Sequence, residues 1–326
     1  MPDIISFGEV LVDMLSSRIG QQDNGPESFT KFAGGAPANV AVAVARLGGR
    51  SRMAGKLGDD MFGHFLRDEL HKAGVDTRYL LSTREANTAL AFVSLDSNGE
   101  RSFSFYRNPS ADILFRADEF ESHWFAQPGI FHICSNTLTT ANIAAATMAG
   151  LAMARDHQWL ISFDVNLRHN LWPTGSAETA PVWAALAYAD VVKMSKEELQ
   201  YMCGSNSEEA TLQRLFDGPV QLLLVTDGGQ PLRICSRDDH GYQESRLRPP
   251  AVTMVDSTGA GDAFIGGLLF QLAEQGIGRQ QLADFCQQGE RLQTALLFAA
   301  HCGGFAASRY GAFAAMPTRL DIETGV

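Results

Sequence analysis

Asp262 sits in the run VDSTGAGDAFIGGLLFQLAEQG, residues 255–276. A strand-like VTMVD leads into Gly259-Ala260-Gly261-Asp262, and a helix pattern follows with apolar residues at 264, 265, 268, 269 and 272. Small residues at a helix start leave the first backbone N–H groups unobstructed. Those donors, with the positive end of the helix, can hold a developing anion. A carboxylate in the first turn beside that anion can accept a proton from a hydroxyl attacking phosphorus. So close to a helix start it is expected to be ionised and a weak base. The plainer alternative is an Asp that merely complements the helix dipole next to a common Gly-x-Gly turn.

A second run, AGGAPANVAVAVARLGG at 33–49, places Gly34-Gly35 at a sharp turn, Pro37 at a helix start and Asn39 in the first turn. The Asn39 amide can donate to and accept from a polyol, or it can bond local backbone instead. A third group follows apolar, strand-like runs. Asp13 follows GEVLV; Asp164, Asn166 and Arg168 follow WLIS; Lys193, Ser195 and Glu198 follow ADVV; Thr226 and Gly228 follow QLLLV. In an open parallel sheet, ligands bind outside the carboxyl ends of the strands, so four such ends point to one crevice. Any one of these residues alone also fits a loop or cap.

Positioning them requires a sheet covered by helices. Short β-rich runs alternate with helical patterns, which predicts an α/β fold with a mostly parallel sheet. DIISFGEVLVD reads as an opening strand, not a signal peptide, because it has no basic segment before its apolar run. SRMAGKLG, IFHICS, WLISFDVN, DVVKMS and VQLLLVTDG read as further strands. Helices are predicted over NVAVAVARLGG, ending in Gly48-Gly49, over DDMFGHFLRDELHKAG, ending at Gly74, and near 139–157, 178–188, 195–203, 206–216, 259–275, 279–287 and 289–304. TALAFVSL and RSFSFYR, joined across Asn98-Gly99, read as a β-hairpin. A β-only insertion in an α/β chain suggests a small lid from about 14–33 and 88–112, with 14–33 irregular, on one unit spanning 1–326.

Several classes are opposed by what the chain contains. There is no G-x-x-x-x-G-K-[ST], no H-R-D or D-F-G set, and no third glycine in G-x-G-x-x-G, where Phe264 stands. These omissions argue against a P-loop enzyme, a protein kinase and a nicotinamide dehydrogenase. The 326 residues carry a net charge of −11, which opposes nucleic-acid and anionic-membrane partners. Local cations and Mg²⁺ can still dominate one cleft. The five cysteines lack zinc spacing and read as free thiols in a reducing cytoplasm.

GGAPANVAVAVARLGG and DSTGAGDAF resemble the two signatures of the ribokinase-like (PfkB-type) carbohydrate kinases, in that family's order, and the resemblance runs over about residues 3–317. FYRNPSADILF (105–115), FDVNLRHNLWP (163–173) and PANVAVAVARLGG resemble fructokinases within it. The resemblance implies a doubly wound α/β fold with a β-sheet lid. It implies transfer of the ATP γ-phosphoryl group to a sugar hydroxyl, for fructokinases the 6-hydroxyl of D-fructose. Kinases of 2-keto-3-deoxygluconate, aminoimidazole riboside or ribose are alternatives in the same family. A non-catalytic sugar sensor is a different-class alternative, opposed by the intact GAGD.

Carried over by position, the resemblance makes Asp262 the base and Gly259, Ala260 and Gly261 the anion hole. Asp13, Gly34, Gly35 and Asn39 would contact sugar, and Arg107 and Asn108 would reach in from the lid. Asp164, Asn166 and Arg168 would line the cleft near the transferring phosphate. Lys193, Ser195, Thr226 and Gly228 would meet the nucleotide, Glu198 would order water around Mg²⁺, and Asp256 and Thr258 with carbonyls from Ala306 to Gly311 would hold K⁺. Ser195 stands where the family has Asn in Asn-x-x-Glu, and Pro231 where it has Gly in Thr-x-Gly-x-x-Gly. Members of the family often pair through the lid, which makes a homodimer an expectation.

Overall fold

The computed structural model describes residues 1–17, 26–95, 101–107 and 109–324. The Asn98-Gly99 turn and Asn108 lie outside these residues. The strands are β1 (Asp3–Phe7), β2 (Leu11–Ser16), β3 (Phe29–Gly34), β4 (Ser51–Gly58), β5 (Asp76–Thr83), β6 (Leu90–Leu95), β7 (Arg101–Tyr106), β8 (Gly129–Cys134), β9 (Leu160–Asp164), β10 (Val191–Ser195), β11 (Leu222–Thr226), β12 (Leu232–Asp238) and β13 (Gly241–Leu247). The main helices are α1 (Ala36–Arg46), α2 (Met61–Lys72), α3 (Ala141–Asp156), α4 (Thr179–Leu186), α5 (Lys196–Cys203), α6 (Glu208–Asp217), α7 (Ala260–Glu274), α8 (Leu282–Gln287) and α9 (Gly289–Ala307).

Nine strands form the main sheet, in the order β13-β12-β11-β10-β9-β8-β1-β4-β5. β5 through β11 in that order pair parallel, and β12 and β13 add an antiparallel edge. Alternation along each strand supplies both faces. Ile4, Ile130, Leu160 and Val191 pack with α1, α7, α8 and α9, while Ile5, Phe131, Ile161 and Val192 pack with α3, α4, α5 and α6. The chain leaves β1 toward β4 on one side, and β8 lies on its other side. That reversal opens a crevice beyond the carboxyl ends of β1 and β8.

A separate four-stranded sheet has the order β3-β2-β6-β7. It consists of two antiparallel pairs joined by the parallel β2–β6 pair. Three expectations are corrected here. DIISFGEVLVD is two strands in two different sheets, because the backbone turns at Gly8 (φ 149°) and crosses between them. The segment from 14 to 33 is not wholly irregular, since β2 and β3 occupy its ends. VTMVD is likewise no strand: Val252, Met254 and Val255 are exposed, and the amides of Val255 and Asp256 donate to the Ala307 carbonyl at 2.8 and 3.1 Å instead of to a sheet. No helix among the described residues is long and apolar enough to cross a membrane.

Candidate active site

Two helix starts converge on one carboxylate. α1 begins at Gly35, whose φ of 107° favours glycine and where a Cβ would sit 2.5 Å from the Glu9 carbonyl oxygen. Pro37 fits the first turn, and Asn39 follows with its amide aimed inward. α7 begins after Gly259, which is left-handed (φ 74°) and lets the chain turn sharply into the helix. Asp256 supports that turn: its Oδ1 accepts from the Thr258 N–H at 3.0 Å and the Thr258 hydroxyl at 2.7 Å. Asp262 then lies in the first turn of α7, and Asn39 Nδ2 donates to its Oδ2 at 2.7 Å.

Asp262 is 9% exposed. Burial pushes its carboxyl above the usual range, while the Asn39 donor, Lys193 and Arg168 pull it down. Burial outweighs the three favourable partners, so this carboxylate binds a proton more tightly than a solvent-exposed one.

Asp262 stands in the wall between two cavities. The smaller, about 220 Å³, is lined by Asp262, Gly259 and Gly261 with Lys193, Ser195 and Glu198. The larger, about 540 Å³, reaches Asp13, Asn39 and Arg107 and is faced by Leu11 and Phe105 of the small sheet. Asn166, Arg168, Ser257, Gly259 and Asp262 line both. Asn166 is buried with φ 37°, a left-handed conformation that Asn tolerates, and Arg168 is exposed at the mouth.

The smaller cavity's charges are held in place by partners. Glu198 accepts from the Ser195 N–H and the Leu167 N–H, both at 2.7 Å, and the Ser195 hydroxyl returns a cap to the Glu198 N–H at 3.1 Å. Lys193 donates to both oxygens of Asp164, at 2.9 and 3.0 Å, and lies against Gly261, where a Cβ would come within 2.8 Å of its Nζ. Burial, with Glu198 and Asp262, pushes Asp164 up to about 7 against the pull of Lys193. Burial lowers Lys193, but Asp164 and Glu198 outweigh it, so its net shift is upward.

Not every predicted residue reaches a cavity. Asp164 is 1% exposed, lines neither, and sits behind Lys193. Gly34, Ala260 and Asp256 also lie just behind the lining. Thr226 is in register beside Ser195 at the next strand end, and Gly228 follows it; neither lines a cavity. Asp13 faces the larger cavity, where burial together with Asp256 and Asp262 pushes its carboxyl up to about 7. Among the described residues no three His, Cys, Asp or Glu side chains form a metal cluster.

Sequence reasoning missed Glu9 and Asn136, which both line the larger cavity. Asn136 Nδ2 donates to Glu9 Oε1 at 2.9 Å, and the Ala36 N–H donates to the same oxygen at 3.3 Å. Burial pushes Glu9 up, opposed by Arg107 and Asn136. Both follow strands at the switch point, so a polar residue after β1 and after β8 was the available signal. It was hidden for Glu9 inside an apolar run read as one strand.

The chain matches the model of the pfkB family carbohydrate kinases over residues 1–319. It is 40% identical over 319 residues to probable fructokinase-2 of Arabidopsis thaliana, covering 98% of this chain and 94% of that one. A fructokinase from Xylella fastidiosa, solved with bound ATP, superposes with a TM-score of 0.92 at 45% identity, over 99% of this chain and 97% of that one. A double mutant of the Vibrio cholerae fructokinase, in a fructose, ADP and potassium ion bound form, gives 0.85 at 34% identity, over 99% and 98%. With a family match nearly as long as the chain and a ribokinase-like fold beneath it, this protein belongs to the pfkB family of carbohydrate kinases, phosphotransferases whose acceptor is an alcohol.

Proposed function

We propose that the protein is an ATP-dependent fructokinase that transfers the γ-phosphoryl group to the 6-hydroxyl of D-fructose. The observation that carries this reading is the position of Asp262, a buried carboxylate in the wall shared by a small polar cavity and a larger one. The sugar occupies the larger cavity, with Asp13, Gly35, Asn39 and Arg107 around it and Gly34 behind Asp13. The triphosphate enters the smaller one and ends at the start of α7. The neighbouring strand ends, with Lys193, Ser195, Thr226 and Gly228, receive the rest of the nucleotide.

Asp262 accepts the proton of the attacking hydroxyl as the bond to phosphorus forms. Asn39 holds the carboxylate at one oxygen and leaves the other for that proton. The first N–H groups of α7, at Gly259 and Gly261, face the equatorial oxygens of the transferring group, while the Ala260 N–H between them donates to the Ser257 carbonyl at 3.2 Å and fixes the turn; Arg168 and Lys193 offset the charge. The small sheet covers the sugar as a lid and excludes water, which would otherwise compete as acceptor. Such a lid, built from about 14–33 and 88–112, belongs to one unit with the α/β core.

The donor set fits the expected cations. Glu198 keeps a lone pair on each oxygen after its two backbone bonds and suits a hydrated divalent ion, and Mg²⁺ bound there would neutralise phosphate oxygens. Asp256, the Thr258 hydroxyl and the carbonyls of 306–311 are hard oxygen donors of the kind K⁺ takes, and K⁺ there would steady the α7 start. The exposed Phe29 and Tyr106 flank Phe92 at ring distances of 5.1 and 5.2 Å, an aromatic row suited to a second copy of the small sheet. A monomer mass by light scattering at micromolar protein would reject that dimer. The five buried free thiols suit a cytoplasmic location.

The test of the function is ADP release from MgATP against D-fructose, ribose, 2-keto-3-deoxygluconate, aminoimidazole riboside and glucose, in K⁺ and in choline buffer. Release that depends on fructose and is faster in K⁺ is expected. Release with another sugar alone keeps the chemistry and rejects fructose. Bound ATP without sugar-dependent release favours a sensor.

A further inference from the structure

The larger cavity carries a second polar cluster, away from the Asn39–Asp262 pair in sequence and contact. Arg107 donates Nε to Asp112 Oδ2 at 2.6 Å and Nη2 to the Asn136 carbonyl at 2.9 Å. The other Asp112 oxygen accepts from the Ser110 hydroxyl at 2.6 Å. Asn136 Nδ2 is committed to Glu9. Glu9, Arg107, Asp112 and Asn136 are 2–6% exposed. Two atoms of this cluster, Arg107 Nη1 and Asn136 Oδ1, are buried without a hydrogen-bond partner among the described residues, and both belong to residues that line the cavity.

Nη1 and Oδ1 are both shut off from solvent, so a ligand meets this wall chiefly through its charge. A buried guanidinium alone would attract an anion, but Asp112 lies against Arg107 and Glu9 is close enough to act on it electrostatically. Over the whole cavity, the carboxylates of Glu9, Asp13 and Asp262 face the guanidiniums of Arg107 and Arg168. Of the two cations, only Arg168 is exposed, and it is shared with the phosphate side.

We propose that Asp112 and Glu9 are specificity-determining residues, which cancel the charge of Arg107 and orient the Asn136 amide so that the cavity takes a neutral polyol and rejects a sugar acid. Asp112 lines no cavity; it acts through Arg107 as a positioning residue. Glu9 acts through Asn136 and, by its charge, on Arg107. The inference rests on the sugar-kinase reading of this cavity and adds to it the residues that exclude acidic sugars.

The experiment compares the Kd for D-fructose and for 2-keto-3-deoxygluconate, by calorimetry, in the full-length wild type, Asp112→Asn and Glu9→Gln. The wild type is expected to prefer fructose. In Asp112→Asn the preference should fall by about 10-fold or more, because a bare cation now faces the acid, with a smaller fall in Glu9→Gln. The KM for ATP should stay unchanged in both. A role limited to folding would weaken both sugars equally. A preference unchanged in both variants, or a wild type that binds the acid more tightly, overturns the inference. Should Asp112→Asn fail to fold, the Glu9→Gln ratio decides alone. Because the readout is binding, a wild type that turns over no sugar fails the kinase reading and leaves this comparison intact.

Discussion

The smaller cavity is lined by polar side chains and glycine alone, whereas Leu11, Phe105, Leu167 and Leu171 form much of the larger one's wall. The first is built on strand ends of the main sheet and the start of α7, with its charges already paired: Glu198 to two backbone amides, Lys193 to Asp164. Fixed charges of this kind favour a developing transition state without reorganising. The second is completed by the small sheet, and Asn39 Oδ1, Arg107 Nη1 and Asn136 Oδ1 in its wall have no hydrogen-bond partner among the described residues. The difference teaches that turnover and selectivity are carried by separable parts. Variants of the small cavity should slow every sugar; variants of the large one should change which sugar is used.

The sharpest break comes at the shared wall. Asp262→Asn should lower turnover by about 10²–10⁴ for all sugars while fructose and ATP still bind. Retained turnover, measured by ADP release, would remove Asp262 from the chemistry. Next in size is Lys193→Met. It leaves Asp164 as an unpaired buried charge, which costs about 3–5 kcal/mol in unfolding free energy, read by denaturant titration. Pairing it with Asp164→Asn should recover much of that loss of stability but not the activity. Equal activity in the double variant would make the ion pair purely structural.

On the sugar side the expected effect is smaller and reversed in sign. Asp13 has a carboxyl pushed up to about 7 from an ordinary value of 3.8. Ionising it in the fold is therefore unfavourable, by an amount that is absent below about pH 4, grows with pH and is complete above about pH 7. Asp13→Asn should raise Tm at pH 8, raise it less at pH 5, and weaken fructose binding throughout. A Tm gain independent of pH would show that Asp13 ionisation is not the cause.

The contrast between the cavities also explains what could be read from the chain. The β–α alternation and the α7 start were legible because apolar period and glycine placement are local signals. Three of the small cavity's charges, Arg168, Lys193 and Glu198, were legible because each follows the start of an apolar run read as a strand. Asp164 was read as lining the cleft, but only packing reveals that Lys193 stands in front of it. The larger cavity was harder. The change of sheet at Gly8 is a tertiary event, so one apolar run hid two strands and concealed Glu9 between them. Asn39 was open between polyol and backbone; its bond to Asp262 joins residues 223 apart in sequence, beyond any local pattern. Val252, Met254 and Val255 are exposed and carry a β pattern with no strand among the described residues beside them to pair with.

The most direct test of the central claim is the pH dependence of kcat/KM for fructose in the wild type and in Asn39→Ala. The Asn39 amide favours the ionised form of Asp262, so removing it should raise the carboxyl further. The account predicts that the wild-type acid limb lies above the usual carboxylate range and moves to higher pH in Asn39→Ala, whatever that variant does to the absolute rate. Acid limbs that superpose in the two proteins would contradict the assignment of Asp262 as the base.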